Sequence, residues 1–326
     1  MNYLQPYITS FHNYLENVHL GNNSGALYEP ANYILSLGGK RIRPVLVLLG
    51  THLYEKSFEK ALNAALAIEV FHNFTLVHDD IMDQAELRRG QLTVHKKYNT
   101  NQAILTGDVM LIMAYRQLLG YSPTSLSHQL AVVFSKMAEE LCIGQQLDMD
   151  FETKDDVSIP EYIKMIELKT AVLLGAALKM GALIGNANDS DAEHLYQFGI
   201  NFGIAFQLQD DVLDVFGSSG NVGKTIGGDI IQNKKTYLFL KALELADDEQ
   251  KSRLVHLYSR MSEITEKEKV EWVTKTFTSL LVKEYAQQVM EAYRDLAISH
   301  VYSCSIEDDK KELLIRLVND FLYRET

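Results

Sequence analysis

The sequence predicts an all-α fold, and three observations carry that expectation. Apolar residues recur at helical spacing over long stretches, and only 5 of 326 residues are proline. Alternating strand patterns and hairpin dipeptides are nearly absent. Two acidic clusters, Asp79, Asp80 and Asp83, and Asp210, Asp211 and Asp214, stand at the ends of two long helical stretches. A chain of this length can remain one helical domain, and 1–326 is read as one. Hydrophobic residues make up 47% and charged residues 23%, the balance of a globular, soluble chain. A net charge of −12 excludes a nucleic-acid surface, which needs a basic stripe.

The elements follow in order. An amphipathic helix runs to about Leu20, and Gly21 to Gly25 form a turn. A short helix, Leu27 to Leu37, leads into Gly38-Gly39-Lys40-Arg41-Ile42-Arg43-Pro44. Two glycines before a basic cluster let the backbone approach an anion closely; the bland alternative is a charged corner between helices. Pro44 suits the first turn of the next helix, Val45 to Tyr54. Ser57, with Glu59 in the first turn, is the candidate N-cap of a helix running to about Asp83. Another helix starts near Asn101 and breaks at Tyr121 to Thr124. Residues 125–150 form the next, whose Gln145, Gln146 and Asp150 face either a polar cavity or solvent. Ser158 and Glu161 make a capping box that opens a helix to about Gly185. Ser190 and Glu193 make a second box, opening Asp191 to Phe216. The glycine-rich segment after Gly217 suggests a mobile loop over a site. It is not a phosphate-binding P-loop, because Ser218 stands where glycine is needed and no strand precedes it. Residues 250–326 carry few chemical signals and are read as packing.

The chemistry concentrates between Phe71 and Gly90. On a helix, Asp79 and Asp83 lie about 40° apart, one turn along the axis. Carboxylates stacked this way repel each other unless a divalent cation neutralises them, and oxygen-only ligands suit Mg²⁺. Arg88 and Arg89 follow within two turns, and arginine forks match phosphate oxygens. The pattern predicts a diphosphate site. His72 shares the acidic face, about 20° from Asp79; a lone helical histidine is equally a structural residue. Lys169, in an apolar neighbourhood with Thr170, either snorkels to the surface or points into an anion site. Gln207, Asp210 and Asp214 fall within about 60° on one helix face. Acids ending so apolar a helix require partners or metal.

Gly38 to Pro44, the Asp79–Asp83 cluster with Arg88-Arg89-Gly90, the Lys169-Thr170 pair, the Gln207–Asp214 stretch and the Lys224 to Thr236 segment come in one order. Together they resemble the trans-isoprenyl diphosphate synthases, or polyprenyl synthetases, over most of residues 35–240. The resemblance implies about a dozen helices around a deep cavity, usually in a homodimer. It implies that Asp79, Asp83 and Asp210 bind Mg²⁺, about three ions with substrate bound, supported by Asp80, Asp211 and Asp214. Arg88, Lys169, Thr170, Gln207, Lys224 and Lys234 would hold an allylic diphosphate. Lys40, Arg43, His72 and Arg89 would hold isopentenyl diphosphate. The released diphosphate, rather than a side chain, would take the proton.

Product length depends on a cavity floor beside the helix before Asp79. Wheel angles favour Phe71 and Thr75; the resemblance to archaeal-type geranylgeranyl diphosphate synthases favours Phe74. A C20 product is expected, with C15 next. A medium-chain synthase and a non-catalytic partner subunit are the alternatives. A class I terpene cyclase would lack the Gly38 to Pro44 site and the second acidic cluster. Cys142 and Cys304 have no metal spacing, so a reducing cytoplasm is expected. The N-terminus shows no signal pattern, and the run from Ala171 to Ile184 is too short to span a bilayer.

Overall fold

Long apolar periods with little proline fold into helices, and the computed structural model is built almost wholly of them. It describes residues 2–18, 20–21, 25–217, 227–259 and 264–323. In chain order these contain α1 (Gln5–Glu16), α2 (Glu29–Ser36), α3 (Ile42–His52) and α4 (Leu62–Met82). A two-stranded hairpin follows, β1 (Leu87–Arg88) and β2 (Gln91–Leu92). Then come α5 (Val94–Lys97), α6 (Thr100–Leu119), α7 (Thr124–Thr153) and α8 (Ile159–Ile166). After a π-helical turn, Glu167–Ala171, come α9 (Val172–Ile184), α10 (Asp189–Phe216) and α11 (Gly228–Ile231). The last five are α12 (Tyr237–Leu245), α13 (Asp248–Leu257), α14 (Glu266–Ser279), α15 (Val282–Ser303) and α16 (Asp308–Leu322). Among the described residues, no helix is long and apolar enough to cross a membrane.

The chain forms two compact units, neither contiguous in sequence: 1–136 with 176–196 and 304–306, and 137–175 with 197–303 and 307–326. In the first unit, α4 packs chiefly on α6 and α3. Every residue of α3 from Pro44 to Thr51 is buried. A helix apolar on all sides must be enclosed, and each buried leucine or valine contributes about 1.5–3 kcal/mol. Glycine allows the enclosure: a Cβ on Gly50 would lie 2.6 Å from the Leu178 carbonyl oxygen of α9. At that approach Thr51 Oγ1 donates to the Gly181 carbonyl at 2.9 Å.

In the second unit, Gly203 of α10 lies against the π turn; a Cβ there would meet Ala171 Cα at 2.6 Å. Phe202 packs edge-on to Phe321 of α16 at 5.7 Å. Capping boxes start α8 (Ser158, Glu161), α13 (Asp247, Gln250) and α14 (Thr265, Glu268). The first of these is the box expected from sequence.

Four local expectations need correction. Ser57 caps no helix: its hydroxyl donates to the Glu59 carboxylate, and α4 begins only after a 3-10 turn at Glu59–Ala61. Ser190 lies inside the first turn of α10, because Asn188 Oδ1 accepts from Asp191 N at 2.8 Å and starts the helix earlier. The helix expected from Ser158 to Gly185 is interrupted by the π turn, whose extra residue re-phases the side chains beyond it. The β1–β2 hairpin was not foreseen. Its turn residues Arg89 and Gly90 have φ of 54° and 75°, the positive pair a type I′ turn requires, but Arg-Gly is not among the usual hairpin dipeptides.

Gly50→Val should force α3 and α9 apart. The overpacking cost is about 1–3 kcal/mol, read as a lowered Tm in differential scanning calorimetry. Gly25→Ala is the control, since nothing lies within 4 Å of a Cβ at that position.

Candidate active site

The first unit carries the first acidic cluster on the last turn of α4. Asp80 is turned inward and is only 1% exposed. A buried carboxylate needs donors, and Arg88 of β1 supplies them. Its Nε lies 2.9 Å from each Asp80 oxygen, and its Nη2 lies 2.7 Å from Oδ1. The hairpin is thereby tied to the helix. Asp79 stays half-buried and Asp83 exposed. The sequence assigned Arg88 to an allylic diphosphate; here its guanidinium is engaged with Asp80.

The basic loop at 38–43 sits in the same unit. Gly38 and Gly39 have φ of 76° and 126°, and Arg41 has 48°. Lys40 is exposed. Arg43 Nη1 lies 3.2 Å from His72 Nε2. An arginine can only donate, so Nε2 accepts and the His72 proton resides on Nδ1. Arg89 donates from Nη1 to the Gly38 carbonyl. Thus Arg43, His72 and Arg89, all expected at one diphosphate, belong to one network around the loop. Burial holds the His72 pKa well below its usual value, reinforced by the charges of Arg43, Arg89, Arg88 and Arg41.

The residues proposed as a floor also lie on α4. Phe71 is buried and packs on Phe74 and Phe134, with ring centroids 5.5 and 5.1 Å away. Phe74 is half-buried, with its ring 4.9 Å from that of His78. Thr75 is buried, and its hydroxyl donates to the His72 carbonyl at 2.8 Å. Phe134 and Tyr115, its edge-on neighbour at 4.8 Å, extend this aromatic cluster from α7 and α6.

The second unit gathers the second cluster. Asp211 is 3% exposed, accepts from the Tyr162 hydroxyl, and accepts from Gln207 Nε2 at 3.1 Å. Burial pushes its carboxyl up to about 8, against the lowering effect of these two donors. Thr170 donates to Gln207 Oε1 at 3.3 Å. Asp214 Oδ2 accepts from Asp229 N at 3.0 Å, which ties α10 to the start of α11. Lys234 lies 3.6 Å from Asp229. Lys169, on the π turn, is paired with Asp148 of α7. Gly144 lets α7 approach that turn, since a Cβ there would fall 2.8 Å from Lys169 Cα. Asp210 is half-buried. Lys224 and most of the glycine-rich segment lie outside the described residues.

Asp148 and Tyr162 had no sequence signal of their own: they are single polar residues in helices, and only their partners reveal them. Asp229 stands inside the Lys224 to Thr236 segment but was given no role. Glu69 had one usable cue, an acid inside an apolar run. Gln146 and Asp150 are exposed and bond each other at 2.8 Å, so the surface alternative holds for them; Gln145 is buried. A groove of about 590 Å³ is lined by Val212, Leu213, Phe216, Lys283, Met290 and Arg294. Those α10 positions point about 145° away from the face bearing Gln207 and Asp210.

Among the described residues, no three carboxylate, histidine or cysteine side chains converge to hold a metal by themselves. Asp79 and Asp83 offer an all-oxygen pair at the end of α4. That donor set fits Mg²⁺, which keeps several waters and takes substrate phosphate oxygens.

The state of His72 has a measurable consequence. Above about pH 6.5 it is neutral in both folded and unfolded chains. As pH falls below that value, the unfolded chain takes up a proton that the folded site resists, so stability declines until the lower folded pKa is reached. His72→Asn should flatten this part of the curve, seen as the difference between wild-type and variant Tm from pH 7.5 to 5.

Residues 24–277 match the family model described as polyprenyl synthetase. A geranylgeranyl diphosphate synthase of Sulfolobus acidocaldarius is 35% identical over 328 residues, covering 99% of this chain and 98% of that protein. One from Methanosarcina mazei is 42% identical over 220 residues, covering 67% and 68%. A crystal structure of a geranylgeranyl pyrophosphate synthase superposes with a TM-score of 0.94 at 45% identity, covering all of both chains. With the acidic and basic motifs in their family order and the helical fold matched throughout, the chain belongs to the polyprenyl synthetase family.

Proposed function

We propose that the protein is a trans-prenyltransferase that condenses isopentenyl diphosphate head-to-tail with an allylic diphosphate, and that its product is all-trans and C20. The observation that carries this reading is the convergence in one unit of the Asp79/Asp83 pair, the 38–43 loop, His72 and the Arg88–Arg89 hairpin. It supplies an acidic edge and a basic network beside each other, as a metal-bridged diphosphate requires.

Asp79, Asp83 and Asp210 would hold Mg²⁺, with Asp80, Asp211 and Asp214 fixing the surrounding backbone. When bound, the metal neutralises the negative charge that grows on the departing diphosphate. Lys169, Thr170, Gln207, Lys224 and Lys234 would hold the allylic diphosphate, while Arg88, engaged with Asp80, would fix the hairpin. Lys169 is pre-oriented by Asp148 and exchanges that partner for phosphate. Lys40, Arg43 and Arg89 hold isopentenyl diphosphate. His72, kept neutral, accepts from Arg43 and aims it. As the allylic C–O bond breaks, the isopentenyl double bond attacks the cation, and the released diphosphate accepts the proton.

The whole chain is read as one functional domain, because both compact units are discontinuous. A homodimer is supported by α6, where Leu105, Ile112 and Leu119 are 56%, 59% and 64% exposed at seven-residue spacing. One seam of large apolar side chains in water calls for a partner surface. Cys142 and Cys304 are not joined in a disulfide, which suits a reducing cytoplasm.

The decisive assay incubates purified protein with Mg²⁺, isopentenyl diphosphate and dimethylallyl, geranyl or farnesyl diphosphate in turn, with product length read by mass spectrometry. A product that stops at C20 is expected. Absence of condensation with every starter overturns the reading and favours a non-catalytic partner subunit. Asp79→Ala should lower kcat by about 10²-fold or more, consistent with loss of a charge-stabilising ligand.

Chain length tests the aromatic cluster separately. Phe71→Ala or Phe74→Ala removes ring volume below the acidic turn and should shift products beyond C20 in the same assay. An unchanged distribution in both variants sinks the floor assignment.

A further inference from the structure

We propose that the buried Glu69–Arg41 pair is the positioning device for isopentenyl diphosphate, holding the 38–43 loop in the backbone conformation that presents Lys40 and Arg43. The inference rests on the function proposed above. Arg41 stands in the basic cluster and invites assignment as a phosphate ligand. Its geometry points elsewhere. The guanidinium turns inward: Nη1 pairs with Glu69 and Nη2 donates to the Leu35 carbonyl. Its side chain is 12% exposed and that of Glu69 2%. Asn73 adds a donor to Glu69 Oε1 at 2.7 Å and, from the same nitrogen, to the Glu69 carbonyl at 2.8 Å.

The loop needs such an anchor. Arg41 adopts φ of 48°, a left-handed conformation that disfavours any residue with a Cβ. Strain of this kind persists where the surroundings over-determine it. Three contacts do so here: Arg41 to Glu69, Arg41 to Leu35, and Arg89 to the Gly38 carbonyl. With Arg41 drawn into the core at the N-cap of α3, its neighbours are left for other contacts. Lys40 stays exposed and Arg43 reaches His72. Glu69 and Asp80 lie within about 20° of one another on α4. Each buried carboxylate of that face therefore fixes one basic element, the loop or the hairpin.

Glu69→Gln alone is a poor test. It leaves a buried unpaired guanidinium, which destabilises, and it adds net positive charge near an anion site, which raises affinity. The double variant Glu69→Gln with Arg41→Met avoids both. Its net charge is unchanged, the amide oxygen introduced by Glu69→Gln still accepts from Asn73, and replacement of a buried pair by uncharged groups is often tolerated.

The expected result is a Tm within a few degrees of wild type, KM for isopentenyl diphosphate raised about tenfold or more, and kcat and the allylic KM changed less than about threefold. Calorimetric titration with isopentenyl diphosphate should show the same loss of affinity without turnover. Unchanged affinity, or equal loss for both substrates, overturns the proposal. If the wild type condenses no starter, the enzymatic reading fails, and the calorimetric comparison of wild type and double variant still decides the loop claim: loss supports it and equality overturns it.

Discussion

A carboxylate withdrawn from water must be given donors, and three such carboxylates organise this protein: Glu69, Asp80 and Asp211. Each fixes a neighbouring element: Glu69 the basic loop through Arg41, Asp80 the hairpin through Arg88, and Asp211 helix α8 through Tyr162. Desolvation makes an unpartnered alternative costly, so these links hold the elements in one arrangement.

The two acidic clusters share a division of labour that follows from helix geometry. Consecutive residues on a helix diverge by about 100°, so adjacent aspartates cannot both face the same way. In each cluster the second aspartate is buried and bonded, and the first remains half-exposed at the edge. Asp214 adds a local task by accepting the first amide of the segment around α11. The inward members make the scaffold, and the outward members are the ones proposed above as metal ligands.

Close helix approach is the second constraint. Gly50, Gly144 and Gly203 each stand where a Cβ would collide with another helix or with the π turn. The turn itself, at Glu167–Ala171, brings Lys169 to Asp148 and Thr170 to Gln207. An uninterrupted α-helix would carry these adjacent residues at a different phase. Departures from regular geometry at functional positions are common, and here the departure coincides with the one lysine that stood out against an apolar background.

The sequence by itself determined the helical class, the approximate extent of several helices before Phe216, the family and the residues where charge concentrates. Those signals are local: periodicity, caps such as Ser158 with Glu161, and charged motifs at short spacing. It also revealed which side chains share a helix face, placing His72 and Asp79 together. Only the tertiary structure decided which member of each charged group turns inward, because that depends on a partner far along the chain. Arg41 and Arg43 look alike in sequence, yet one meets Glu69 and the other His72. The Asn188 cap and the Arg89-Gly90 turn are local, yet they escaped because neighbouring residues offered an equally good local signal or none of the usual ones. Local chemistry permits several local structures, and long-range packing selects the one in which Glu69, Asp80 and Asp211 keep their donors.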